Sequence, residues 1–145
     1  MSSVIDSSRE RVWRALADPA ERIRWNQRLL ALDEPVPGYP HTDRPAHWRY
    51  RLGSVPVTLE DRPVEVVPGK RLRHLMSIGS FHFEETYTLS DEEPDRTRIS
   101  LRLTAAKNSV PLLGGTLDRF DVRRLASELV DDDLRSIRSW CERDA

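Results

Sequence analysis

The sequence predicts an α+β domain of two layers, a long antiparallel sheet covered by a helix at the C-terminal end, and three observations carry that prediction. Two helix-start signals follow one another near the beginning. Alternating hydrophobicity then persists for roughly half the chain, and a broad apolar stripe at 3.6-residue spacing closes it. At 145 residues the chain has the size of one domain, expected over residues 1–145, able to bury about 70% of its unfolded surface.

Each element follows from local chemistry. Ser7 and Glu10 have the spacing of a capping box, ahead of good helix formers and the apolar residues Val12, Trp13 and Leu16. Asp18, Pro19 and Glu21 repeat the signal as cap, first-turn proline and acid, predicting a second short helix that ends near Trp25. The stretch Glu34 to Pro45 holds four of the ten prolines and reads as a long loop. Trp48, Tyr50 and Leu52 then alternate with charged residues, and a two-residue turn at Gly53 and Ser54 places Leu52 opposite Val55, Tyr50 opposite Val57 and Trp48 opposite Leu59. The apolar set moves from odd positions (Val55, Val57, Leu59) to even ones (Val64, Val66), so a bulge is expected near Asp61 to Pro63.

A second hairpin turns at Gly79 and Ser80, joining a strand with Leu72, His74, Met76 and Ile78 on one face to one with Phe81, Phe83, Glu85, Tyr87 and Leu89. After an acidic turn around Asp91 to Asp95, Ile99, Leu101, Leu103 and Ala105 form the inner face of a half-buried strand whose Arg98 and Arg102 face water. Beyond a hinge at Gly114 and Gly115, the stripe Val122, Leu125, Ala126, Leu129, Val130, Ile137, Trp140 and Cys141 predicts a long helix lying on the sheet.

Composition narrows the function classes. The 23 Lys and Arg nearly cancel the 24 Asp and Glu, and they are interspersed, so no net field draws the chain toward nucleic acid. No window approaches the ~20 apolar residues of a membrane span. The opening, Met1 to Asp6, has neither region of a secretory signal, and the expected compartment is the cytoplasm. Cys141 is the only cysteine, which excludes an internal disulfide and a cysteine-based zinc site. His41, His47, His74 and His82 lack close metal-ligand spacing, and no phosphate-binding loop or Gly-x-Ser-x-Gly elbow occurs, so neither metal nor cofactor is expected.

The order strand, two short helices, long antiparallel sheet and final helix carries local wording as well: Val4-Ile5-Asp6-Ser7-Ser8, Arg11-Val12-Trp13, Leu16-Ala17-Asp18-Pro19, Trp25, and a closing helix ending near Trp140 and Glu142. Over essentially the whole chain this resembles the START-like, or SRPBCC, superfamily and its helix-grip fold. The shared motifs are structural, and no subfamily's catalytic signature accompanies them. Two departures are a short first strand and Asp95, Arg96 and Thr97 where the family often has Gly-Thr before the last strand. The resemblance implies a cavity between sheet and helix for a lipid, polyketide, hormone or other mainly apolar molecule. Some relatives bind or carry; others cyclise, dehydrate or condense.

The hairpin register places His74 directly opposite Glu85 within an otherwise apolar set, about 5 Å apart on one face. Burying either alone costs several kcal/mol, on the order of the unpaired-charge penalty, so they are expected as a pair. Three readings stay open: a satisfied pair inside the sheet, a ligand anchor, or a dyad in which Glu85 orients His74 and the free ring nitrogen exchanges a proton. On the long helix, Asp133 sits mid-stripe between Leu129 and Ile137 and Arg119 joins that side; each either anchors a ligand's polar group or reaches water. Trp48, Tyr50, Met76, Phe83, Tyr87, Leu101 and Leu129 are the candidate apolar and phenolic lining, with plain core packing as the alternative. Trp13, Trp25 and Trp140 are assigned to packing, and Glu34 to Pro45, with Tyr39 and His41, to an entrance lid.

The sequence thus points first to a domain that binds a mainly apolar small molecule. A polyketide cyclase, aromatase or dehydratase is the enzymatic alternative, with His74 moving protons, Glu85 tuning it, and Tyr87 or Arg119 steadying an enolate. A protein-binding module using a sheet edge or the acidic helix is the third.

Overall fold

A computed structural model of the chain describes residues 1–105 and 119–143, with side chains of the last helix from residue 124 onward. The hinge expected at Gly114 and Gly115 and the Arg119 side chain lie outside the described residues. The chain runs β1 (Ser2–Ile5), α1 (Arg9–Ala17), α2 (Pro19–Trp25), β2 (Leu29–Leu32), β3 (Ala46–Leu52), β4 (Val55–Val67), β5 (Arg71–Ile78), β6 (Phe81–Glu93), β7 (Arg96–Ala105) and α3 (Arg119–Glu142). All strands join one antiparallel sheet of seven in the order β1-β7-β6-β5-β4-β3-β2, so the sheet edges are its two four-residue strands. α3 packs against β1, β7, α1 and α2. This is the helix-grip architecture.

The helix starts are set by caps. Ser8, rather than Ser7, is the N-cap of α1, its hydroxyl accepting from the Arg11 N–H, and Asp18 caps α2 by accepting from the Ala20 N–H. Ser7 instead turns the chain out of β1, with its N–H on the Ile5 carbonyl. Glu21 does not close a capping box. Its carboxylate collects Arg11 at 2.7 Å, Arg14 at 3.0 Å and the Trp140 indole N–H at 2.8 Å, tying α1, α2 and α3 together.

Both predicted hairpins form in the expected register, Trp48 opposite Leu59 and His74 opposite Glu85. The bulge falls between Pro63 and Glu65, at the C-terminal edge of its expected span. Until that point the inward parity of Val57 and Leu59 continues through Asp61, which is wholly enclosed. The acidic turn is tighter than expected: β6 runs on to Glu93, and Asp95 takes a left-handed conformation at φ 63°, which short polar side chains tolerate.

The interior contains two apolar clusters. One gathers Val12, Leu16, Trp25, Leu72, Tyr87, Ile99 and Ile137 at the β1-β7 end of the sheet. The other gathers Leu29, Tyr39, Trp48, Leu59, Met76 and Ile78 at the β2-β3 end. Along β5, Leu72 belongs to the first and Met76 to the second, with His74 between; along β6, Tyr87 and Phe83 flank Glu85 in the same way. The buried polar residues therefore form a belt across the seam of two cores.

Candidate ligand-binding site

The belt begins at Asp61. Its Oδ1 meets His74 Nδ1 at 2.6 Å, while its Oδ2 accepts from the Tyr39 hydroxyl at 2.5 Å and from the Trp48 indole N–H at 3.0 Å. Asp61 and His74 have no exposed surface. Burial works to raise the Asp61 pKa, but the His74 ring and its hydrogen bond, Arg22 and the Tyr39 hydroxyl outweigh it and hold the carboxyl at about 2. An ionised Asp61 requires Nδ1 to carry a proton, which fixes the tautomer of the ring and leaves Nε2 as its other polar atom. Nε2 has no hydrogen-bond partner among the described residues.

Arg22, on α2, enters the same belt with 2% of its surface exposed. One guanidinium nitrogen donates to the Tyr39 oxygen at 3.1 Å and another lies 3.6 Å from Glu85 Oε1. The guanidinium also stands over the Trp48 ring at 5.7 Å and the Tyr87 ring at 5.9 Å. Burial would lower its pKa, but the Tyr39 and Tyr87 phenols with the Glu85 and Asp61 carboxylates reverse that, so it stays charged. Arg22 Nε, Glu85 Oε1 and the Tyr87 hydroxyl are buried without hydrogen-bond partners among the described residues. Groups of that kind each cost stability unless something completes them.

Arg22 and Glu85 border a chamber of about 40 Å³ whose lining also includes Trp48, Tyr50, Met76, Phe83, Leu129 and Asp133. It shares Tyr50, Leu129 and Asp133 with an open groove of about 520 Å³ between α3 and the β3-β4 turn. Asp133 sits at this junction. Burial first, then the Glu85 carboxylate, push its pKa up to about 7, against the opposing pull of Arg22 and Arg28. At the mouth, Arg28 is held by Asp132 at 2.8 Å. The groove is in the size range of small-molecule sites, while the chamber accommodates only a group the size of a water or an ammonium.

The structure thus brings Trp48, Tyr50, Met76, Phe83, Glu85, Leu129 and Asp133 to one cavity. Leu101 packs instead in the first apolar cluster, and Tyr87 stands behind the chamber wall in the same cluster. His74 is register partner to Glu85, yet its bonded carboxylate is Asp61 and its ring is not part of the chamber wall. The dyad drawn from the hairpin register is therefore corrected: a diagonal neighbour on β4 holds the imidazole, and Arg22 holds Glu85. In the loop expected as a lid, Glu34 to Pro45, the Tyr39 side chain is buried with 8% of its surface exposed, and no residue of the loop lines the chamber or the groove. Among the described residues no group of three or more His, Cys, Asp or Glu could hold a metal ion, and no helix is long and apolar enough to cross a membrane.

Asp61 and Arg22 were missed from sequence, which placed Tyr39 only in the lid. Asp61 carried a signal, its inward parity with Val57 and Leu59 before the bulge. For Arg22 and Tyr39 the position in the fold, rather than any local pattern, makes the site.

Residues 1–142 match the family described as polyketide cyclase / dehydrase and lipid transport. The chain belongs to this family. Comparison with curated proteins gives no match. Among solved structures, a START superfamily protein from Mycobacterium smegmatis is 13% identical with a TM-score of 0.82, covering 100% of this chain and 97% of that one. The Zhui aromatase/cyclase from a Streptomyces species is 15% identical with a TM-score of 0.79, covering 99% of this chain and 92% of that one. A protein from Thermus thermophilus is 22% identical with a TM-score of 0.72, covering 100% and 97%. At these identities the likeness is one of fold, and family membership gives the coarse function, hydrophobic-ligand binding or cyclase chemistry.

Proposed function

We propose that this protein of the polyketide cyclase/dehydrase and lipid-transport family binds a mainly apolar small molecule, its body in the groove beside α3 and its polar end in the chamber at Glu85 and Asp133. The observation that carries the reading is a chamber, continuous with an open groove, that places the charged residues Arg22, Glu85 and Asp133 within walls otherwise made by Trp48, Met76, Phe83 and Leu129. A packed core with no occupant has no physical reason to retain them.

The enzymatic alternative draws on the Asp61–His74 pair, in which an ionised carboxylate fixes the imidazole tautomer and leaves Nε2 as a base. Binding is favoured over it because the His74 ring is fully enclosed and stands outside the chamber wall. Native mass spectrometry of the purified protein, followed by denaturing extraction, tests the binding reading. A co-purifying small molecule, or a thermal shift with members of a lipid, polyketide and aromatic-acid panel, is the expected result. A clean spectrum together with no thermal shift across that panel overturns it.

A further inference from the structure

The charges around the chamber are unbalanced. Glu85 and Asp133 reach it from opposite layers of the fold, one from β6 and one from α3, and Arg22 is the one cation that joins them on its wall among the described residues. Arg22 is already shared with Glu85, the Tyr39 hydroxyl and, more distantly, Asp61. His74, whether neutral or protonated, is committed to Asp61. Arg28, at the mouth and not on the chamber wall, is bonded to Asp132 and acts on Asp133 only through its charge, and Arg135 is ion-paired with Asp131. With Asp133 ionised, the inner end of the pocket is therefore one positive charge short, Glu85 and Asp133 sharing Arg22 on the chamber wall.

Glu85 is 92% buried, its exposure being 8%; it lines this space, and its Oε1, 3.6 Å from an Arg22 nitrogen, has no hydrogen-bond donor among the described residues. Glu85 and Asp133 line the same chamber, and the Glu85 carboxylate adds to burial in raising the Asp133 pKa. The walls between them are the faces and edges of Trp48, Tyr50 and Phe83, surfaces that attract a cation. A carboxylate ligand would enter against two carboxyls, whereas an ammonium would donate to both.

Resting on the reading of this pocket as a small-molecule site, we infer that its ligand class is an amine: a protonated amino group seated between Glu85 and Asp133, on an apolar or aromatic body that lies in the groove.

Three indoles that differ in one terminal group test the inference: tryptamine, tryptophol and indole-3-propionate, titrated calorimetrically near neutral pH, with N-phenyl-1-naphthylamine as a neutral apolar probe. Tryptamine is expected to bind about 10-fold more tightly than tryptophol, as one desolvated charge-assisted contact gives, with the acid weakest. In Glu85→Gln the amine-to-alcohol ratio falls to within about threefold. Asp133→Asn is the second variant, should Glu85→Gln fail to fold, with the same expectation. An acid that binds as tightly as the amine, or an amine preference that survives both substitutions, overturns the inference. If the naphthylamine probe binds but the amine has no advantage over the alcohol, this inference fails and the pocket reading stands; if neither the probe nor any indole binds, both fail.

Discussion

His74 and Glu85 face each other across β5 and β6, yet each takes its charged partner from elsewhere: His74 from Asp61, 2.6 Å away on β4, and Glu85 from Arg22, 3.6 Å away on α2. The consequence is a division of labour. The Asp61 side of the belt is closed and satisfied apart from His74 Nε2, whereas the Glu85 side opens on a cavity with unfilled hydrogen-bonding capacity.

Asp61 should therefore be a stability residue. Asp61→Ala strands the Tyr39 hydroxyl, the Trp48 indole N–H and the His74 Nδ1 proton together, and is expected to cost about 3–5 kcal/mol in urea unfolding. Asp61→Asn keeps an acceptor for Tyr39 and Trp48 and should cost less than half as much.

The same carboxylate gives an acid-unfolding signature. Its folded pKa is lowered to about 2 from the model-peptide value of 3.8, so its contribution is fully present above pH 3.8 and is lost as pH falls through 2. About 2 kcal/mol is at stake. The urea midpoint of the wild type should drop across that window, and the drop should be shallower in Asp61→Asn.

Asp133 should act with the opposite sign. Its folded pKa is raised to about 7, so the fold favours the protonated form, and the stability it contributes below pH 3.8 is lost as pH rises through 7. Because Asp133 is half-buried and lines the open groove, the change is on the order of 1–2 kcal/mol rather than that of a sealed carboxyl. Asp133→Asn should flatten this part of the profile and be more stable than the wild type at pH 8, with the two converging near pH 4.

Tyr39 fastens the proline-rich loop through a hydroxyl that donates to Asp61 and accepts from Arg22. Tyr39→Phe is expected to cost about 1–2 kcal/mol and to raise amide hydrogen exchange from Asp33 to Arg44 without changing exchange in α1. Equal protection of the loop in both proteins would show that the ring alone holds it.

Much of the architecture was readable because local signals agreed with one another. The Gly53-Ser54 and Gly79-Ser80 turns fixed two registers, and the α3 stripe gave the facing layer through Val130, Ile137 and Cys141, whereas Leu125 is exposed, Leu134, outside the stripe, is buried, and the Val122 side chain lies outside the described residues. The bulge was legible from the parity change between Leu59 and Val64. The site was legible only in part. Glu85 and Asp133 stood out as acids on apolar faces, but the identity of their partners depends on where α2 and the Glu34 to Pro45 loop dock, a tertiary outcome that no periodicity records. Assigning Asp61 to the bulge itself concealed its inward direction, and with it the true partner of His74.

The most direct test of the account is whether an apolar molecule occupies the space at Leu129. N-phenyl-1-naphthylamine fluorescence should rise and saturate on titration into the wild type. It should weaken at least ~10-fold in Leu129→Trp, whose larger ring fills the junction of chamber and groove while the thermal midpoint stays within a few degrees. Equal probe binding by the wild type and a folded Leu129→Trp would contradict the account, placing any binding surface elsewhere on the molecule.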